Sequence, residues 1–156
     1  MIFVTLGTQD KPFTRLLDYL EHSNIDDEII VQAGFTDYKS NKLKIYQYID
    51  KEAFDDYLNR ADYVICHGGV GSIVGALTKD KKVLVVPRLS KYGEHHNDHQ
   101  LQIASVYQQK GYILVMLEDD NFDDKFNELK SFVPKKFVSN NEMFVRKLKD
   151  YIMLKR

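Results

Sequence analysis

Apolar positions along the chain follow two rhythms in turn. "MIFVTLG" at 1–7 is a near-continuous apolar run closed by glycine, the form of a strand buried on both faces. In "DKPFTRLLDYL" the apolar residues Phe13, Leu16, Leu17 and Leu20 recur at i, i+3, i+4 and i+7. That spacing predicts a helix, with Pro12 suited to its first position. "EIIVQAG" reads as a second buried strand, "KIYQYI" as a shorter one, and "EAFDDYLNRA" as a short amphipathic helix. Strand "DYVICH", helix "GSIVGALTKD", strand "KVLVVP", helix "NDHQLQIASVYQQK" and strand "GYILVML" follow. Two helical stretches close the chain, "FDDKFNELKSF" and "NNEMFVRKLKDYI"; in the second, Phe144, Leu148, Tyr151 and Ile152 share a face. Solidly apolar strands alternating with amphipathic helices predict a parallel sheet covered on both sides. The expectation is an α/β fold, a single Rossmann-like domain over residues 1–156 with helices on both faces.

Such a sheet binds ligands outside the carboxyl ends of its strands, where the strand order reverses. The informative residues are therefore those that follow each strand: "GTQDKP", "GFTDYKSN", "HGGVGS" and "PRLSKYGEHHNDHQ". "HGGVGS" leads from a strand into a helix. Its glycines let a ligand approach the backbone, and the amides of Gly71, Ser72 and Ile73 are expected to open the helix. Free amides and the positive end of a helix dipole suit phosphate. Gly7, Thr8 and Gln9 offer a second such turn. Neither turn is a dinucleotide or P-loop fingerprint, because no lysine follows the glycines and the spacing is not G-x-G-x-x-G.

Three of the five histidines crowd into "KYGEHHNDHQ" at 91–100. His95 and His99 have the i, i+4 spacing that can hold zinc. The glutamate of H-E-x-x-H is missing, however, and no cysteine or distant histidine cluster completes a ligand set, so no metal is expected. Asn97 and Asp98 suit a helix start, while Glu94, Asp98, His99 and Gln100 could direct hydrogen bonds to hydroxyls. His67 ends a strand beside the glycines, as a structural residue or a donor to phosphate or substrate. Cys66 precedes it and reads as core, with no evident partner base. His22 reads as a surface residue.

Composition narrows the classes. Hydrophobic content is 44% and charged content 29%, ordinary for a globular domain. With 22 basic and 23 acidic residues well mixed, the net charge of −1 predicts no nucleic-acid face. A single cysteine excludes an internal disulfide and fits a reducing compartment. No apolar run approaches the length of a membrane span. A cytoplasmic domain is expected. The basic end "RKLKDYIMLKR" reads mainly as the wet side of a helix, with an anionic membrane or a partner as the other reading.

At "HGGVGS", "KKVLVVPR" and "DHQ" the sequence resembles the C-terminal, donor-binding domain of glycosyltransferase family 28, one half of the two-domain GT-B architecture. The resemblance is closer to subunits that carry this domain alone. These are the cytosolic subunit of the eukaryotic two-subunit UDP-GlcNAc transferase and, closest, bacterial exopolysaccharide and capsule glycosyltransferases. The latter pattern resembles "MIFVTLGTQ", "VQAGFTDY", "ADYVICHGGVGSI", "VVPRLSKYGEHHNDHQLQIA" and "NNEMFVRKL", nearly the whole chain.

The resemblance implies a UDP-sugar donor and no cofactor. Gly7, Thr8, Gln9, Gly68, Gly69, Gly71 and Ser72 would cradle the diphosphate, and the loop from Arg88 to Gln100, with Glu94 and Asp98, would face the donor. His67, His96 and His99 are candidate bases, unless the base lies on a partner. That partner would be a membrane-anchored, acceptor-binding subunit presenting a lipid-linked saccharide at the cytoplasmic face of the membrane. The resulting activity would be hexose transfer in exopolysaccharide or capsule biosynthesis. A non-catalytic stabilising subunit and a nucleotide-sugar epimerase are the rival readings, the latter disfavoured by length. One departure stands out. Many members carry Glu or Asp where this chain has Gly75, so either Glu94 or Asp98 takes over the ribose or sugar contact, or UDP-sugar binds weakly.

Overall fold

The apolar runs fold as strands whose alternate side chains meet different helices. A computed structural model describes residues 1–138, with Arg146 and Asp150 beyond them. The closing helix expected at 140–152, and Met153 after it, therefore lie almost wholly outside the described residues. Strand β1 (Ile2–Thr5) is followed by helix α1 (Thr14–Glu21), β2 (Ile29–Gln32), β3 (Lys44–Tyr46), α2 (Lys51–Arg60) and β4 (Tyr63–Cys66). Helix α3 (Val70–Leu77), β5 (Lys82–Val85), α4 (His99–Gln109), β6 (Leu114–Val115) and α5 (Phe122–Ser131) follow among the described residues. All pairings are parallel, in the order β3-β2-β1-β4-β5-β6. The expected α/β class and two-sided cover are observed.

In β1, Ile2 and Val4 pack on one side with Leu16, Leu17 and Leu20 of α1 and Phe122, Phe126 and Leu129 of α5. Phe3 points to the other side, to a second core containing Leu58, Ile73, Leu77, Ala104 and Tyr107 from α2, α3 and α4. Each cluster buries enough apolar surface to stabilise its layer, at roughly 1.5–3 kcal/mol per large side chain.

The elements depart from the sequence expectation mainly at their ends. Pro12 does not open α1, which begins at Thr14. The amide of Phe13, just before it, instead donates to the Thr36 hydroxyl at 2.9 Å. In "GYILVML" only Leu114 and Val115 pair, because β6 is an edge strand with β5 as its single neighbour among the described residues. Residues 113–116 are nevertheless buried.

The chain runs from β1 outward to β3, then returns to the other side of β1 with β4. The order therefore reverses between β1 and β4. A crevice opens there at the carboxyl ends.

Candidate functional site

The crevice is a cleft of about 750 Å³ on the α2–α3 side of the sheet. Its rim is the two turns that follow β1 and β4: Gly7, Thr8 and Gln9 from one, His67, Gly69, Gly71 and Ser72 from the other. Its floor comes from the last positions of two strands. Thr5 and Gln32 oppose one another in register and face the same side as Phe3 and Ile30 beneath them. The run turns from apolar to polar where the cleft begins. Thr5 is 3% exposed, and its hydroxyl has no hydrogen-bond partner among the described residues. A buried donor without a partner is costly, and this one lies just beneath the floor of the cleft, with almost none of its own surface exposed.

Helix α3 opens onto this cleft. Gly69 is its N-cap, in extended conformation, and the Gly69 carbonyl already accepts from the amide of Ile73 at 3.1 Å. The amides without an intrahelical partner are thus those of Val70, Gly71 and Ser72, one residue earlier than the sequence suggested. They and the helix dipole give this corner its positive character.

His67 is clamped between the two turns. A Cβ on Gly7, whose φ is +82°, would lie 2.6 Å from His67 Nε2, and a Cβ on Gly69 would lie 2.5 Å from Cε1. Neither position accepts a side chain while the imidazole stays in place. His67 Nε2 is 3.3 Å from the Ser72 hydroxyl, and Nδ1 is 3.0 Å from Nε2 of Gln100. Burial, and then the nearby positive charge of Arg88, push its pKa from 6.5 down to about 4. The imidazole is neutral at physiological pH.

The remaining expected residues are placed differently. Gly68 lies under Gln100 rather than on the cleft, and a Cβ there would be 2.6 Å from that residue's Cβ. Arg88 was expected to face the donor but is 1% exposed. Its guanidinium donates to the carbonyls of Leu6 at 2.6 Å, Lys11 at 2.7 Å and Glu94 at 2.9 Å. Glu94, another expected ligand contact, turns inward as well. Its carboxylate accepts from Arg15 at 3.0 and 3.1 Å and from the amide of Leu89 at 3.0 Å. Asp98 accepts from the amide and hydroxyl of Ser90, at 2.9 and 3.1 Å. Gln100 is buried, its Oε1 accepting from the amides of Gly68 and Arg88 at 3.1 and 3.2 Å. These bonds staple residues 88–100 into a closed platform, with Lys91 paired to Glu118 at its edge.

His96 is exposed and His95 and His99 half-buried on that platform. The rings of His95 and His96 are 5.1 Å apart, and burial, followed by the charge of its neighbours, lowers the pKa of His95. None of the three lines the cleft. Among the described residues no group of three His, Cys, Asp or Glu side chains is arranged to hold a metal. Cys66 is fully buried, and burial pushes its thiol up to about 12, leaving it unreactive near neutrality. His22 is exposed, as expected.

Several cleft residues were missed in the sequence. Besides Thr5 and Gln32 they include Phe35, Gln47, Tyr48 and Ile49, from the loops after β2 and β3. Phe35 is 66% and Tyr48 82% exposed, and two exposed aromatics beside one cleft form a surface for a flat apolar ligand. The signal available was a polar residue ending each of two apolar strands, and an aromatic just past a strand end. Gln32 and Gln47 fasten the loops, donating to the carbonyls of Gly7 at 3.1 Å and of Gly34 and Thr36 at 2.8 Å each.

Among the described residues no helix is long and apolar enough to cross a membrane. Solved structures share the architecture. An NMR structure of ALG13 superposes with a TM-score of 0.60 at 21% identity, covering 94% of each chain. The calicheamicin glycosyltransferase CalG4 gives 0.63 at 16% identity over 97% of this chain and 37% of its own. SnogD, a glycosyltransferase from Streptomyces nogalater, gives 0.52 at 20% over 83% of this chain and 38% of its own. The chain thus spans the length of ALG13 but little more than a third of the other two, and at these identities the likeness is one of fold. No curated protein matches it closely enough to count as a relative. The sequence itself matches the glycosyltransferase family 28 C-terminal domain over residues 1–150, and the chain belongs to that family.

Proposed function

We propose that this chain is the UDP-sugar-binding, catalytic subunit of a two-component glycosyltransferase. In this reading it transfers a hexose to a lipid-linked saccharide acceptor in exopolysaccharide or capsule biosynthesis. One observation carries it: the open cleft at the β1–β4 switch point, where the unpaired amides of α3 and the orphan Thr5 hydroxyl converge.

The diphosphate lies over Val70, Gly71 and Ser72, where helix-start amides favour negative charge. The uracil packs on the aromatic side of the cleft, at Phe35 and Tyr48. As the sugar–oxygen bond breaks, negative charge grows on the leaving diphosphate while the sugar becomes oxocarbenium-like. Donors already aimed at that charge stabilise the transition state without reorganising. Thr8 and Gln9 flank the opposite side of the same site.

The acceptor half and the membrane attachment belong to a partner in this reading. A cleft walled on one side leaves the acceptor unaligned, and alignment contributes roughly 7–11 kcal/mol to lowering such a barrier. The open space at Gly75, where a Cβ would meet nothing within 4 Å, favours a second reading: a stabilising subunit that leaves donor binding to its partner.

Calorimetry against UDP, then UDP-Gal, UDP-Glc, UDP-GlcNAc and UDP-GlcA, separates the two. Saturable binding of UDP and of one sugar nucleotide is expected for the catalytic reading. Absence of any saturable heat would remove it. Transfer to a lipid-linked acceptor is expected only with the partner co-expressed, and full turnover by the isolated chain would overturn the two-component arrangement.

A further inference from the structure

The buried contacts of His67 define more than its position. Gln100 Oε1 accepts from two backbone amides, those of Gly68 at 3.1 Å and Arg88 at 3.2 Å. Backbone N–H groups can only donate, so they settle which end of the side-chain amide is oxygen. The other end is then the NH2 group, 3.0 Å from His67 Nδ1. An amide nitrogen also only donates. Nδ1 must therefore supply the lone pair, and the proton of the neutral ring must sit on Nε2. That nitrogen lies 3.3 Å from Ser72 Oγ on the wall of the cleft.

We propose that Gln100 is a positioning residue that locks His67 in its neutral Nε2–H tautomer, so that the imidazole presents a proton donor, and no base, to the cleft. Three features of the geometry support this. The ring is held from both sides by the Gly7 and Gly69 turns, so it cannot turn over to exchange its nitrogens without displacing them. A second proton on Nδ1 would meet the amide hydrogens of Gln100 head-on. The Arg88 guanidinium also opposes an imidazolium, as does burial of the ring at 6% exposure. Of the groups packed around the ring, Arg88 and His95 disfavour the cation and Gln100 is neutral; Glu94 faces Arg15 instead.

With the proton on Nε2 there is no lone pair on the cleft side to take a proton from an acceptor hydroxyl. The candidacy of His67 as general base falls. Its Nε2–H, relayed through or beside the Ser72 hydroxyl, instead donates to whatever anion occupies the α3 end of the cleft. The consequence for binding rests on the donor-site reading given above; the tautomer itself does not.

The test is long-range nitrogen–proton NMR of the 15N-labelled full chain, with His67 assigned by its disappearance in His67→Gln. Between pH 6 and 8, Nδ1 is expected to resonate as a bare, pyridine-like nitrogen and Nε2 as a protonated one. In Gln100→Glu the carboxylate keeps both amide contacts but turns an acceptor towards Nδ1. His67 should then carry a proton on Nδ1; where the ring stays neutral, Nε2 loses its proton and UDP should bind roughly tenfold more weakly, the size of one hydrogen bond to a charged group. A protonated Nδ1 in the wild type, or an unchanged tautomer in Gln100→Glu, would overturn the proposal. If that variant fails to fold, the wild-type spectrum still decides. If UDP does not bind but the tautomer is as stated, the donor-site reading fails and the lock stands.

Discussion

On the β1–β4 side of the rim, backbone turns hold open a cleft of about 750 Å³ with an unpartnered hydroxyl just beneath its floor. On the β5 side, residues 88–100 close on themselves, and Arg88, Glu94, Asp98 and Gln100 all find partners within the protein. The second region is far richer in charged and polar side chains, yet its buried side-chain polar atoms are paired with the exception of Arg88 Nε, while the first keeps the Thr5 hydroxyl and the opening amides of α3 without partners among the described residues. Polar side chains that satisfy one another build a platform, whereas unpaired backbone amides beside small residues leave an open cleft. Density of chemistry in a sequence does not by itself mark the ligand.

The strongest way to break this contrast is to remove the staple of the closed side. Arg88→Met leaves the carbonyls of Leu6, Lys11 and Glu94 without their donor. A loss of about 3–5 kcal/mol in unfolding free energy is expected, because three carbonyls lose a charged donor at about 1–3 kcal/mol apiece. Urea denaturation measures it. A loss below about 1 kcal/mol would mean that the platform does not depend on that side chain.

The next effect tests the hinge between the two sides. His67 has a folded pKa of about 4 against an ordinary 6.5. Between those values the unfolded chain binds a proton that the native state refuses. The sign follows: this contribution is fully present above about pH 6.5 and is lost as pH falls towards 4. Its size is about 2–3 kcal/mol. Unfolding curves at pH 7 and pH 4.5 should show that decrease in the wild type and a smaller one in His67→Gln. Equal slopes in the two proteins would contradict the burial argument.

The fold was legible in the sequence because most strands, β3 excepted, are apolar runs and the helices between them keep an apolar face. What escaped was local. Pro12 suits a helix start, but the Phe13 amide is held by Thr36, a contact across 23 residues that no local pattern reveals. The site was legible in its glycine turns, whose shape depends on neighbouring backbone. Arg88 and Glu94 misled because a buried ion network and a ligand-binding cluster use the same residue types. Gln32, Phe35 and Tyr48 were passed over because only register and loop packing bring them to the cleft.

A smaller effect sharpens the open side. Gly75 lies on the cleft wall with free space above it, so Gly75→Glu should fold normally and place a carboxylate near the ribose. UDP is expected to bind several-fold more tightly, about 1 kcal/mol for a charged hydrogen bond at a partly solvated position. Unchanged affinity in calorimetry would place the ribose elsewhere. The smallest effect is expected from His96→Ala. This residue is exposed on the closed platform, and both stability and UDP affinity should stay within about 0.5 kcal/mol of wild type. A larger loss of UDP affinity would bring the platform into the nucleotide site.

The central claim, that the nucleotide occupies the open side, is tested most directly by following backbone amide shifts of the 15N-labelled chain during a UDP titration. Saturable shifts should concentrate at Gly7 to Gln9 and Gly69 to Ser72, leaving the amides of Asp26 to Glu28 and Lys79 to Lys82 at the opposite end of the sheet in place. Saturable shifts confined to that opposite end, or to residues 89–98, would contradict it.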